Sequence, residues 1–177
     1  MECFTRGNGA IFSHCDRYRY LLTRGAGIEH VQRWMCFVML NPSTADETRD
    51  DQTIRRCLGF ARRERCDGLV VVNLFALRAT NPMQLQADGV RDPVGPENFD
   101  YIEFAVERVR KHGLLVCAWG IHGRYMDQDL TMLGWLERFR ARPLCLGTTA
   151  AGDPRHPLYV AKDKALEPFK GRPLGGN

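Results

Sequence analysis

The chain is expected to fold as an α/β domain: a three-layer sandwich with a mainly parallel four-stranded central sheet, helices on both faces, and an N-terminal β-hairpin extending one edge. Three observations lead there. Short apolar runs at 37–40, 69–72, 114–119 and 143–146 each stop at Asn, Gly or Thr. Segments with helical spacing separate these runs, and strand–helix alternation of this kind packs as a parallel sheet. Two alternating stretches near the N-terminus read as a hairpin.

Taken in order, residues 10–15 and 18–23 alternate around Asp16-Arg17 to make the hairpin, and Gly25-Ala-Gly27 supplies a turn after it. Residues 34–40 form the first central strand. From Asp50 or Asp51 to Arg65, the apolar positions Ile54, Leu58 and Ala61 keep helical spacing, and the early acids suit the positive end of the helix dipole. Asp67-Gly68 then precedes a second strand at 69–74, and a loop rich in Asn, Pro, Gly and Asp follows over 78–95. Pro96-Glu97 opens the next helix, whose buried stripe is Ile102, Ala105, Val106 and Val109 and whose stop is Lys111-His112-Gly113. The third strand covers 114–119, a helix 126–140, and the fourth strand 144–146. Periodicity fades after His156-Pro157, so a loose tail is expected over 165–177, within a single domain spanning 1–177.

Composition bounds the function classes. A chain of 177 residues that is 44% hydrophobic can bury roughly 70% of its unfolded surface in one core. No run approaches the roughly 18 apolar residues of a membrane span, and the N-terminus lacks an apolar signal region, so a soluble cytoplasmic protein with no membrane partner is expected. The 7 cysteines form no CxxC pair, which argues against a disulfide framework or zinc ribbon; no metal and no cofactor is expected. Cys36, Cys117 and Cys145 lie in strand runs and read as small core hydrophobes. The net charge is +4, and 21 of the 25 basic residues are arginine. Phosphate recognition and genome composition both account for such a skew. The clusters Arg55-Arg56, Arg62-Arg63-Arg65 and Arg138-Arg140-Arg142 read as solvated helix faces.

Polar groups at the strand ends mark a ligand site, because open α/β sheets bind ligands beyond the carboxyl ends of their strands. Asn41-Pro42-Ser43-Thr44, Asn73, Trp119-Gly120 and the late His156-Pro-Leu158 supply them. An Asn amide offers donors and an acceptor, so Asn73 can pair with a nucleobase edge. Asn41 does not titrate near neutral pH, but its carbonyl can orient water. His156, with an ordinary pKa of about 6.5, can donate a hydrogen bond to charge collecting on a departing base. Ser43 and Thr44 near a helix start can hold a phosphate. Asp46 and Asp51 are the nearest carboxylates in sequence, either of them a possible ligand for a divalent ion. His14, His30, His112 and His122 lack supporting neighbours and are set aside. Each group also has a structural use: Asp50 and Asp51 as helix caps, Trp119 as core packing, His156 as a turn residue.

The motifs carry a resemblance. Leu40-Asn-Pro-Ser43, Val70-Val-Val-Asn-Leu-Phe-Ala-Leu-Arg-Ala-Thr-Asn-Pro82, Val116-Cys-Ala-Trp-Gly120 and Arg155-His-Pro-Leu158 follow the order of motifs in the uracil-DNA glycosylase superfamily. Asn41-Pro-Ser-Thr-Ala-Asp46, Asp51-Gln-Thr-Ile-Arg-Arg56, Val94-Gly-Pro-Glu-Asn98 and the stretch 147–159 resemble the uncharacterised DUF1643 family over roughly residues 10–162. The superfamily resemblance implies that Asn41 positions an attacking water, Asn73 reads the base, His156 assists its departure and Leu158 occupies an inserting position. Catalytic roles are expected for Asn41 and His156 and, as a carboxylate close in sequence, for Asp46, and substrate binding for Pro42, Ser43, Thr44, Asn73, Trp119, Gly120 and Leu158. The aspartate and tyrosine of the uracil-specific first motif, the serine after the late His-Pro, and the cysteine-ligated cluster of other branches are absent. Two function classes follow: an N-glycosylase-like hydrolase acting on a nucleobase-containing substrate, and a non-catalytic module binding a nucleotide or nucleic acid. The sequence assigns no oligomeric state.

Overall fold

A computed structural model describes residues 7–25 and 33–172, in which a seven-stranded mixed sheet packs with three α-helices. In chain order the described elements are β1 (Gly9–Phe12), β2 (Arg19–Gly25), β3 (Trp34–Met39), α1 (Gln52–Arg63), β4 (Gly68–Asn73), α2 (Asn98–Val109), β5 (Leu114–Cys117), α3 (Gln128–Arg138), β6 (Leu144–Cys145) and β7 (Glu167–Pro168). The strand order is β1-β2-β4-β3-β5-β6-β7. Neighbours in the run β4-β3-β5-β6 are parallel, whereas the β1–β2, β2–β4 and β6–β7 pairs are antiparallel.

The hairpin meets β4 through β2, and its turn is closed by Asp16 in a left-handed conformation and by Ser13 N–H bonding Tyr18 O at 3.0 Å. Gly25 ends β2, while Ala26 and Gly27 of the expected turn lie outside the described residues. The sheet is wider than the expected four strands plus hairpin. Part of the stretch expected to be loose forms β7, which pairs with β6; Phe169 is buried and its N–H bonds Pro143 O at 2.9 Å. Two residues, one of them proline, carry no alternation, so tertiary pairing alone makes this strand. The last five residues, 173–177, lie outside the described residues.

Alternation along the strands splits the core. Met35, Phe37, Met39, Leu69 and Val71 pack with Ile54, Cys57, Phe60 and Ala61 of α1. Cys36, Val38, Val70, Val72 and Cys117 pack instead with the α2 stripe and with Met132 and Leu136 of α3. The stripe is the expected one, as Ile102, Ala105, Val106 and Val109 are all buried. Each Ile or Val of the stripe contributes about 1.5–3 kcal/mol on burial. Cys36, Cys57, Cys117 and Cys145 sit inside as hydrophobes, and the burial of Cys36 and Cys57 pushes their thiols well above the ordinary range. No helix among the described residues is long and apolar enough to cross a membrane.

Local chemistry sets the helix starts. Asp51 caps α1, its carboxylate accepting the Ile54 N–H at 2.8 Å, as read from the sequence. The helix expected from residue 126 begins at Gln128, because Met126 and Asp127 adopt left-handed φ of 54° and 51°. Two helical arginines also depart from the expected solvated face. Arg56 donates through Nε to Pro157 O at 3.1 Å and through Nη2 to Val160 O, and Arg63 donates to Lys162 O at 3.0 Å. Both guanidinium groups lie against the Phe60 ring, with centroid distances of 5.6 and 5.0 Å. They tie the 157–162 segment to α1.

Gly113, read as a helix stop, is needed for space and not for a left-handed turn. A Cβ there would lie 2.5 Å from Trp34 O and 2.6 Å from Val109 Cβ. Gly113→Ala is therefore expected to destabilise the domain by about 1–3 kcal/mol. Urea unfolding of the purified variant measures this, and an unchanged midpoint would contradict the close approach.

Candidate functional site

Because β4 and β5 flank β3 on opposite sides, the chain leaving β3 turns to one side of the sheet and the chain leaving β4 crosses to the other. At such a switch point the loops diverge and leave a crevice beyond the strand ends. A cavity of about 800 Å³ opens there, lined by residues following β3, β4 and β5, by the start of α1, and by the 155–159 segment.

Of the ten residues singled out from sequence, Asn41, Ser43, Asn73, Trp119, Gly120, His156 and Leu158 line this cavity. Pro42, Thr44 and Asp46 do not line it. Pro42 is buried, with its carbonyl accepting from Asn41 Nδ2 and Ala79 N–H, and Thr44 is exposed. Asp46 is spent on its own turn: Oδ1 accepts the N–H groups of Thr48 and Arg49 at 2.9 and 2.8 Å. Those amides hold its carboxyl below the ordinary carboxylate range. The helix expected from Asp50 or Asp51 starts at Gln52, and its first residues Gln52 and Thr53 line the cavity whereas Thr44 does not.

Asn41 Nδ2 donates to Pro42 O at 3.0 Å and to Ala79 O at 2.7 Å, so both amide hydrogens are committed and Oδ1 is the atom left to meet a ligand. Asn73 differs. It is 1% exposed, yet its Nδ2 has no hydrogen-bond partner. A buried orphan donor costs about 1–3 kcal/mol, and the sequence tolerates that cost at the wall of the cavity. The strand end itself is fixed by Asn98, whose Nδ2 donates to the carbonyls of Asn73 and Leu74 at 3.0 and 3.2 Å.

His156 precedes a short 3-10 turn, Pro157–Tyr159, and accepts the Leu158 N–H on Nδ1 at 3.3 Å. That bond assigns the proton to Nε2. Burial lowers the His156 pKa to about 4, opposed by the nearby Asp51 carboxylate, so the ring is neutral at pH 7. Trp119 is 2% exposed and meets Phe169 edge-on at 5.5 Å, joining core packing with a place on the cavity wall. Gly120 has φ of 71° and nothing within 4 Å of a Cβ position. Ile121, Leu158 and Tyr159 form an apolar part of the lining, with exposures of 57%, 39% and 79%.

Sequence reasoning missed several lining groups. Arg19 of β2 is 3% exposed; Nη1 donates to Ala45 O at 2.6 Å and Nε has no partner. Desolvation lowers its pKa to about 10, with Asp51 acting against that shift. Asp51, read from the sequence both as a cap and as a carboxylate near the site, caps α1 and lines the cavity. His122 and Arg155 line it too. No motif surrounds Arg19, so only the sheet order could reveal it. Arg24, the next arginine of β2, fixes the same loop through a 2.7 Å ion pair with Asp50 and a bond to Asp46 O.

Residues 19–158 match the model of a family described as protein of unknown function, DUF1643, and the chain belongs to that family. No curated protein and no solved structure matches the chain.

The lowered His156 pKa has a pH signature. With a folded value of about 4 against 6.5 for the free group, the unfolded chain binds the proton more readily between those values. Stability is therefore complete above pH 6.5 and falls as pH drops toward 4. Denaturant titrations across this window are expected to show a shallower decline for His156→Gln than for the wild-type chain; parallel profiles would contradict a buried neutral ring.

Proposed function

We propose that the cavity binds a nucleobase-containing ligand, with the Asn73 amide pairing with the edge of the base. The observation that carries this reading is the orphan Nδ2 of a fully buried Asn at the wall of a cavity that Asn41 and His156 also line. A planar heterocycle with ring acceptors answers that donor, and Trp119 and Tyr159 bring aromatic side chains to the lining. The motif order shared with uracil-DNA glycosylases supports the same ligand class.

The arrangement supports hydrolysis of an N-glycosidic bond. Asn41 Oδ1 would orient a water toward the sugar carbon, and Asp51, a carboxylate of the lining, would take the water's proton. A C–O bond forms as the C–N bond breaks, and the base leaves with the bonding electron pair. The neutral His156 donates its Nε2–H to the charge on that base; it does not need to be protonated to do so. A second reading, a non-catalytic nucleotide or nucleic-acid binder, is favoured by the apolar rim of Ile121, Leu158 and Tyr159, which offers stacking surface beyond one base.

Asn73→Leu separates ligand use from structural use. The substitution removes an unsatisfied polar group, so the melting temperature is expected to hold or rise while nucleoside affinity falls roughly tenfold or more. Destabilisation with unchanged affinity would refute the proposed role. Asn41→Ala is expected to lower base release on the order of a hundredfold with binding nearly intact. Binding without any base release by the wild-type chain selects the second reading, and steep weakening with salt then assigns the partner as nucleic acid.

A further inference from the structure

We propose that the same cavity holds a phosphoryl group of its ligand between Arg19 and the first backbone amides of α1, which makes the ligand a nucleotide and not a free base. The nucleobase part of this statement rests on the reading above; the anion site stands on separate observations.

The first is Arg19. Its guanidinium is nine-tenths buried and more, its Nε is unpartnered, and no ion pair among the described residues includes it. A buried cation with unused N–H groups is costly unless an anion meets it, and the guanidinium fork suits the oxygens of a phosphate. The second is the start of α1, a 12-residue helix. Asp51 takes the Ile54 N–H on its carboxylate and the Arg55 N–H on its carbonyl, which leaves the Gln52 and Thr53 amides as the open donors of the first turn. Both residues line the cavity together with Arg19. Helix N-termini bind anions through such amides and the dipole behind them.

Asp51 is the opposing charge. It is outnumbered by Arg19 and Arg155 among the charged lining residues, two cations to one anion. Its Oδ1 is also already committed to the helix cap. Ser43, expected from sequence to meet a phosphate, lines the cavity as a hydroxyl donor.

Calorimetric titration of the full chain with the four ribonucleosides, their 5′-monophosphates, ribose 5-phosphate and inorganic phosphate tests this. Each monophosphate that binds is expected to do so about tenfold or more tightly than its nucleoside, with inorganic phosphate competing. Arg19→Met should erase the difference. Because Arg19 also anchors Ala45 O, Gln52→Pro serves as the second variant. Proline is favoured at the first helical position, and Asp51 already has the extended φ/ψ of −79° and 179° that precedes proline, so the fold is kept while one amide is lost. Weaker monophosphate binding with unchanged nucleoside binding in that variant supports the site. Equal affinity of nucleoside and monophosphate in the wild-type chain, or no phosphate binding in any form, overturns it. Phosphate binding that depends on Arg19 without any nucleoside binding keeps the anion site and removes the nucleobase reading. A single-stranded oligonucleotide that outcompetes the mononucleotide places the phosphoryl group in a nucleic-acid backbone; the reverse places it in a free nucleotide.

Discussion

The reversal of strand order about β3 is the constraint on which the rest depends. Placing β4 and β5 on either side of one strand forces the loops after β3 and β5 apart, and seven of the ten residues singled out from sequence line the gap. A sheet wound in one direction only would have stacked those loops against each other. β3 and β4, buried along their whole lengths and apolar except for Asn73 at the end of β4, make this winding stable, because both faces must be covered by helices.

Two segments outside the strands and α-helices complete the site, and arginines hold both. The 41–51 loop is fixed from β2 by Arg19 and Arg24 acting on Ala45 O, Asp46 O and Asp50. The 155–162 stretch is fixed from α1 by Arg56 and Arg63 acting on backbone carbonyls. Guanidinium groups suit the task, since one side chain reaches two carbonyls with fixed geometry. Part of the arginine excess is thus an internal scaffold for the cavity walls and not a solvated face.

The central elements were legible because their physics is local. Apolar runs and helical spacing placed β3, β4, β5 and α2 within a residue or two, and Asp51 announced itself as a cap. Seven of the ten proposed site residues line one cavity because strand ends share an edge by topology. The misses have different causes. Asp46 looked available until its turn consumed it, Arg19 sits in a hairpin strand far from any motif, and His122 acquires its place only through the 3-10 turn after Gly120. The short β7 carries no alternation and exists because β6 offers it an edge.

The edge-on contact between Phe169 and Trp119 gives β7 a reach beyond its size. Phe169 follows β7 directly and presses on an indole that is part of the cavity wall. Shape at the ligand pocket is thus mechanically linked to the C-terminal lap of the chain, so repacking that distant seam would change which molecules fit without altering any residue that touches them.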